Sequence, residues 1–169
     1  MVYGTNLELD LKVFIDANWV GNLDERKSTS GAVFFLRKRL VSWTSKKQNC
    51  TSKSTAEAEY VVAAVNCSNI VWFKQFLEGM KVEIKEPIVM FCDNTSAINI
   101  SKNPVMHSKT KHIAIKYHFV RELVQDKEIR LEYVHTKEQI VDIFTKPLPK
   151  DAFMYLRGKL GVTPLSEGH

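Results

Sequence analysis

The most constraining stretch of the chain is Leu7–Trp19, LELDLKVFIDANW. Leu7, Leu9, Leu11, Val13 and Ile15 alternate with Glu8, Asp10 and Lys12, which is the period of a β-strand with one buried face. At Phe14 the second face turns apolar as well, so this part of the strand is expected to be covered on both sides, in the middle of a sheet. Asp16 follows two residues later on the Phe14 side. A carboxylate beside a covered position is costly unless something pairs with it. A turn aspartate just past the strand end explains it equally well, and later acids must decide.

After Trp19 a turn-rich polar connection leads to Ala32–Leu36 and Leu40–Thr44, two short apolar strands with Arg37, Lys38 and Arg39 between them. With the first strand they form an antiparallel meander. Ser54 and Glu57 make a capping box, opening a long helix predicted to run to about Glu78 and to stop at Gly79. Glu57 has the capping role. Glu59 does not; it lies beside the Tyr60, Ala64, Cys67, Val71 stripe that should face the sheet. Such an acid sits either at the rim of the core or at a site.

Ile88–Cys92 is an apolar run too short for a helix. After a long helix it is expected to lie parallel to the first strand, with Asp93 at its carboxyl end, where open α/β sheets place their ligands. Asn94 caps a short helix that closes before Pro104. A further helix between Val105 and Lys127 carries Ile113, Tyr117, Val120 and Val124 on one side and Lys109, Lys111, His112, Lys116 and Arg121 on another. Ile129–Val134 alternates as a last strand. Thr136–Gln139 reads as a second capping box, opening a helix that points Ile140, Ile143 and Phe144 to the core with Asp142 among them. Residues 151–160 form an amphipathic helix through Phe153, Leu156 and Leu160, followed by a frayed tail. The expected division is a domain over residues 1–150 and a C-terminal helix and tail over 151–169.

The order β-β-β-α-β-α-α-β-α brings Asp16, Glu59, Asp93 and Asp142 towards one edge. Carboxylates this close repel one another, by about 4 kcal/mol per pair at 4 Å and an effective dielectric of 20. A divalent cation removes that problem. Oxygen-only ligands select Mg²⁺ or Mn²⁺, and a pair of such ions can serve phosphodiester hydrolysis. The residues alone therefore reach a metal nuclease, without proving that the acids meet.

The chain also resembles the ribonuclease H domain at the end of copia-type LTR-retrotransposon Pol polyproteins. The resemblance rests on IDANW, ERKSTSGAVFFL, VSWTSKKQ, STAEAEYVVAA, CDNTSAI, KNPVMHSKTKHI, YHFVRE and IVDIFTKPLP, in that order, over nearly everything from Leu11 to about Val162. It implies an α/β ribonuclease H-like fold: a mixed five-stranded sheet, three antiparallel strands then two parallel, flanked by helices. It implies cleavage of the RNA strand of RNA–DNA hybrids with two Mg²⁺ ions, Mn²⁺ being a substitute. By motif the ligands are Asp16, Glu59, Asp93 and Asp142. It further implies a reverse transcriptase domain, encoded upstream in an intact element, as a partner. Two positions depart from the family pattern: Asn18 replaces a second Asp outside the quartet, and Lys53 stands where an apolar residue usually precedes the helix cap. With a start just before the first strand, they leave room for the alternative, a catalytically inactive remnant that binds nucleic acid or a partner. A metal exonuclease of related fold is a third reading.

Smaller signals complete the expectations. Asn94, Lys109, Lys111, His112 and His135 are candidate nucleic-acid contacts, although solvated surface roles explain the lysines and histidines as well. The net charge of +5 suits nucleic acid or plain solubility. Cys50, Cys67 and Cys92 have neither zinc spacing nor an even count, which fits a reducing compartment. No membrane span or signal peptide is readable, so an intracellular site, cytoplasmic or nuclear, is expected. Trp19, Trp43 and Trp72 are expected in the core.

Overall fold

The structure, a computed structural model, describes residues 8–19, 28–49, 52, 54–102 and 111–164, with side chains from 114 onward in the last of these. The opening alternation folds as two strands, β1 (Glu8–Leu9) and β2 (Leu11–Asn18). The break falls at Asp10, whose carbonyl accepts the Arg37 N–H at 3.0 Å. The strands that follow are β3 (Thr29–Leu36) and β4 (Arg39–Lys47). They are joined at Arg37 and Lys38, both with positive φ (49° and 64°), the backbone of a two-residue hairpin turn.

Helix α1 (Thr55–Gly79) begins as the capping box predicts, with the Glu57 N–H donating to Ser54 Oγ at 3.1 Å. Its end differs from the expectation. Gly79 stays helical and Lys81, at φ 60°, takes the left-handed position. Strands β5 (Glu83–Ile84) and β6 (Ile88–Cys92), helices α2 (Thr95–Lys102) and α3 (Lys111–Gln125), and strand β7 (Ile129–Tyr133) follow. The main sheet has the order β4-β3-β2-β6-β7, with β2, β3 and β4 antiparallel and β2, β6 and β7 parallel, the expected mixed architecture. β1 and β5 pair separately as a short parallel ladder.

Each face of the sheet is covered, as the turn at Phe14 suggested. On one side Leu11, Val13, Ile15, Phe34 and Met90 pack against Tyr60, Cys67 and Ile70 of α1 and Val120 of α3. On the other, Val33 and Phe35 meet Ile140, Val141 and Leu160, with Phe14, Ile143 and Phe144 against them.

The segment after β7 departs most from expectation. Thr136–Glu138 is a single 3-10 turn, capped by His135 Nδ1, which accepts the Lys137 N–H at 3.2 Å. The helix proper, α4, is only Asp142–Thr145. Gln139 explains the interruption. Rather than closing a capping box, it is fully buried and donates from Nε2 to the carbonyl of Ile15 at 2.9 Å, tying the chain to β2. Helix α5 (Lys150–Lys159) then buries Leu156, and Leu160 just beyond it joins the second core. Phe153, expected to face inward, is exposed beneath the Arg157 guanidinium at 6.0 Å. Among the described residues no helix is long and apolar enough to cross a membrane.

Candidate metal centre

Asp16 lies in β2, cross-strand from Gly31 of β3, and its side chain points to the α4 side. Gly31 is what lets α4 come so close. A Cβ there would lie 2.6 Å from both Thr145 Cγ2 and Val141 Cγ1. The approach puts three α4 groups onto the sheet acids. The Thr145 hydroxyl donates to Asp16 Oδ2. Asp142 joins the cluster directly. Lys146, capping the helix, places Nζ 2.9 Å from Asp142 Oδ1 and 3.8 Å from Asp16 Oδ2.

Asp93 follows the last residue of β6. The parallel register pairs Phe14 with Phe91, which brings Asp93 level with Asp16. The Thr136 hydroxyl lies near its carboxylate and favours the ionised form. Glu59 reaches across from α1 and accepts the Ala17 N–H on Oε1 at 2.8 Å. Carboxylate oxygens of Asp16, Asp93 and Asp142 lie within 4.8 Å of one another, and Glu59, Asp93 and Cys92 form a second such group. The structure thus brings all four sequence-selected acids together, with Asp93 shared.

Crowding and burial both act on these groups. Asp16 and Glu59 are each 2% exposed and Asp142 5%. Burial, then the charge of Asp16, holds the Glu59 carboxyl well above its ordinary range. Burial pushes Asp142 up to about 6, with Lys146 opposing and Asp16 and Asp93 adding to the rise. Asp93 is raised by burial and by Asp16, against Lys146 and Thr136. The Lys146 ammonium is depressed by burial, but Asp142 and Asp16 outweigh this and raise it.

The donor set fits a hard divalent cation. Oxygens sharing one Mg²⁺ at about 2.1 Å lie at most about 4.2 Å apart, which small side-chain rotations can reach from the observed cluster. Cys92 does not add a soft ligand. Burial and the neighbouring Glu59 charge push its thiol far up, so it stays protonated, with Sγ 3.6 Å from Glu59 Oε2.

No protein-family model matches the chain. It is 41% identical over 155 residues to the retrovirus-related Pol polyprotein from transposon RE1 of Arabidopsis thaliana, covering 92% of this chain and 11% of that one. It is 38% identical over 152 residues to the corresponding polyprotein from transposon TNT 1-94 of Nicotiana tabacum, again over 90% of this chain and 11% of that one. Among solved structures, LC11-RNase H1 in complex with an RNA/DNA hybrid superposes with a TM-score of 0.60 at 11% identity, over 80% of this chain and 94% of that one. The chain belongs to the retrovirus-related Pol family and has a ribonuclease H-like fold. It spans about a tenth of the length of the curated relatives it matches.

In this Pol-family domain the other sequence-selected residues are placed as follows. Asn94 caps α2, its Oδ1 accepting the Ala97 N–H at 3.0 Å, immediately after Asp93. His135 is exposed at the end of β7, with Nδ1 occupied by the 3-10 turn. Lys111 and His112 open α3 with side chains outside the described residues; Lys109 and Lys53 lie outside them altogether. The tryptophans correct the expectation of core positions. Trp43 is 58% exposed, stacked on Phe144 at 6.5 Å, and Trp72 is 63% exposed, stacked on Phe76 at 5.6 Å. Trp19, half-exposed, donates from Nε1 to the Ser52 carbonyl at 3.1 Å.

Sequence reasoning missed Thr136, Thr145 and Lys146 around the acids. For Lys146 a signal existed, its place four residues after Asp142.

Proposed function

We propose that this domain is a Mg²⁺-dependent endoribonuclease that hydrolyses the RNA strand of RNA–DNA hybrids. One observation carries the reading: Asp16, Glu59, Asp93 and Asp142, far apart in the chain, meet in two adjoining groups of close ligand atoms that share Asp93. The Pol-family relationship and the hybrid bound by LC11-RNase H1 supply the substrate class. Mg²⁺, or Mn²⁺ on the same oxygens, would supply an activated water and a Lewis-acid contact to the departing oxygen when bound as a pair. Asp16, Glu59, Asp93 and Asp142 would hold these ions. The Ala17 N–H fixes Glu59 and the Thr145 hydroxyl fixes Asp16, so each acid meets its ligand already oriented.

Asn94, Lys109, Lys111, His112 and His135 are the proposed nucleic-acid contacts, acting on backbone and 2′-OH groups, so sequence preference is slight. The reverse transcriptase segment of a longer polyprotein is the proposed protein partner, and an intracellular compartment, cytoplasmic or nuclear, the proposed setting. Incubating the purified domain with an end-labelled hybrid, with and without Mg²⁺, tests the reading. Internal cuts in the RNA strand that need Mg²⁺ are expected. Terminal trimming would indicate an exonuclease, and binding without cleavage an inactive remnant.

A further inference from the structure

We infer that Lys146 is a resident counter-cation of the acidic cluster, and that a divalent ion entering the site must displace its ammonium from between Asp142 and Asp16. The inference rests on the metal reading above. Three observations lead to it. Lys146 Nζ lies 2.9 Å from Asp142 Oδ1 and 3.8 Å from Asp16 Oδ2, bridging two acids that come from opposite ends of the chain. Among the described residues Asp142 Oδ1 is buried with no hydrogen-bond partner, leaving the ammonium as its only neutralising contact. The lysine is also held there by its backbone. Lys146 caps α4 with its N–H on the Asp142 carbonyl at 3.1 Å and turns extended at ψ 154°, the conformation that a following proline, here Pro147, imposes.

A Mg²⁺ sharing Asp142 Oδ1 at about 2.1 Å would lie no more than about 5 Å from that ammonium, and nearer if it also took Asp16. Like charges at that separation inside a buried cluster repel strongly. The ammonium and an ion on Asp142 Oδ1 therefore compete for the same oxygens, and each weakens the other's hold. The side chain is partly exposed at 30%, so it has a way out to solvent. The lysine lets the acids pack together before metal arrives, and it weakens metal binding by having to be moved.

The test uses the whole chain without hybrid. Parent, Lys146→Met and Lys146→Arg are compared by thermal midpoint in EDTA and by calorimetric titration with MgCl₂. Lys146→Met is expected to melt lower than the parent in EDTA and to bind Mg²⁺ about tenfold tighter or more. Its midpoint then converges on the parent's at saturating Mg²⁺. Lys146→Arg, which keeps the charge, should stay near the parent in both. A Lys146→Met protein unfolded in EDTA but folded by Mg²⁺ also supports the inference. Equal or weaker Mg²⁺ affinity in Lys146→Met overturns it, whatever the midpoints, as does a protein that stays unfolded at saturating Mg²⁺. If the parent itself takes up no Mg²⁺, the metal reading fails and this inference with it. A parent that binds Mg²⁺ beside a variant that binds no tighter sinks the inference alone.

Discussion

Asp93 is where the residue-scale argument is sharpest. It is shared by both groups of close acidic ligands, and its neighbours raise its carboxyl through burial and the charge of Asp16. Asp93→Asn keeps the size and one carbonyl oxygen of the side chain while removing one crowded charge. Mg²⁺-dependent cleavage should be abolished, and in EDTA the variant should melt no lower than the parent. Mg²⁺ should raise the parent's midpoint more than the variant's. A variant markedly less stable without metal, or one cleaving at near-parental rate, would falsify the role given to this aspartate.

The same crowding predicts a pH dependence of stability. Asp142 sits at about 6, above an unfolded value of about 3.9, and Glu59 and Asp93 are raised in the same direction. Between about pH 4 and 6 the folded, metal-free protein therefore binds more protons than the unfolded chain. Its stability contribution from these groups is present at the low end and lost as pH rises through the folded value. Mg²⁺ takes the ionised acids, so its stabilising effect should grow over that window. Melting curves from pH 4.5 to 7.5, with EDTA and with Mg²⁺, check this. A Mg²⁺-induced shift that stays constant with pH would contradict it.

At the scale of elements, the closeness of α4 to β3 does the positioning. Gly31→Ala puts a methyl group 2.6 Å from side-chain carbons of Val141 and Thr145, both β-branched and packed. The helix must move outward, carrying Asp142, Thr145 and Lys146 away from Asp16. The expected cost is about 1–3 kcal/mol of stability, read as a lower urea midpoint at unchanged slope. Cleavage measured well below the denaturation range should fall more than tenfold, since a displacement of about 1 Å costs on the order of 100-fold in rate. Full activity in Gly31→Ala would mean that α4 need not sit so close. This glycine was not among the residues singled out from sequence, because nothing local marks it. Its requirement comes from an element 110 residues further along the chain.

At the scale of the whole molecule, what was legible follows a pattern. The strands β2, β3, β4, β6 and β7 and the helix α1 were visible as alternation, short apolar runs and a capping box. The four acids were visible because each interrupts or closes an apolar stretch that has to be buried. The partners of those acids were not. Lys146 and Thr145 depend on where α4 lies, and the segment before it is tied to β2 by Gln139 binding the Ile15 carbonyl across the core. Trp72 was misjudged for a related reason. α1 carries apolar residues all round, and periodicity does not tell which of Val65, Trp72 and Phe76 are left uncovered. The overall charge bears on binding rather than fold. If Lys109 and Lys111 contact phosphates, Lys109→Ala with Lys111→Ala should flatten the log–log salt dependence of hybrid affinity. Two lost contacts amount to roughly 1.8 at duplex charge density. An unchanged slope would assign those lysines to solvent.

The register of β2 against β6 runs Lys12 to Val89, Val13 to Met90 and Phe14 to Phe91, and two steps further it sets Asp16 beside Asp93. Changes in strand length therefore come in two kinds. A single residue gained in β6 turns every following side chain to the opposite face, so the core itself rejects it. A gain of two leaves inward residues inward and the apolar count intact, yet carries the aspartate about 7 Å past its partner. Inheritance by pairs is thus the quiet way for a lineage of such chains to lose its chemistry while its members go on folding.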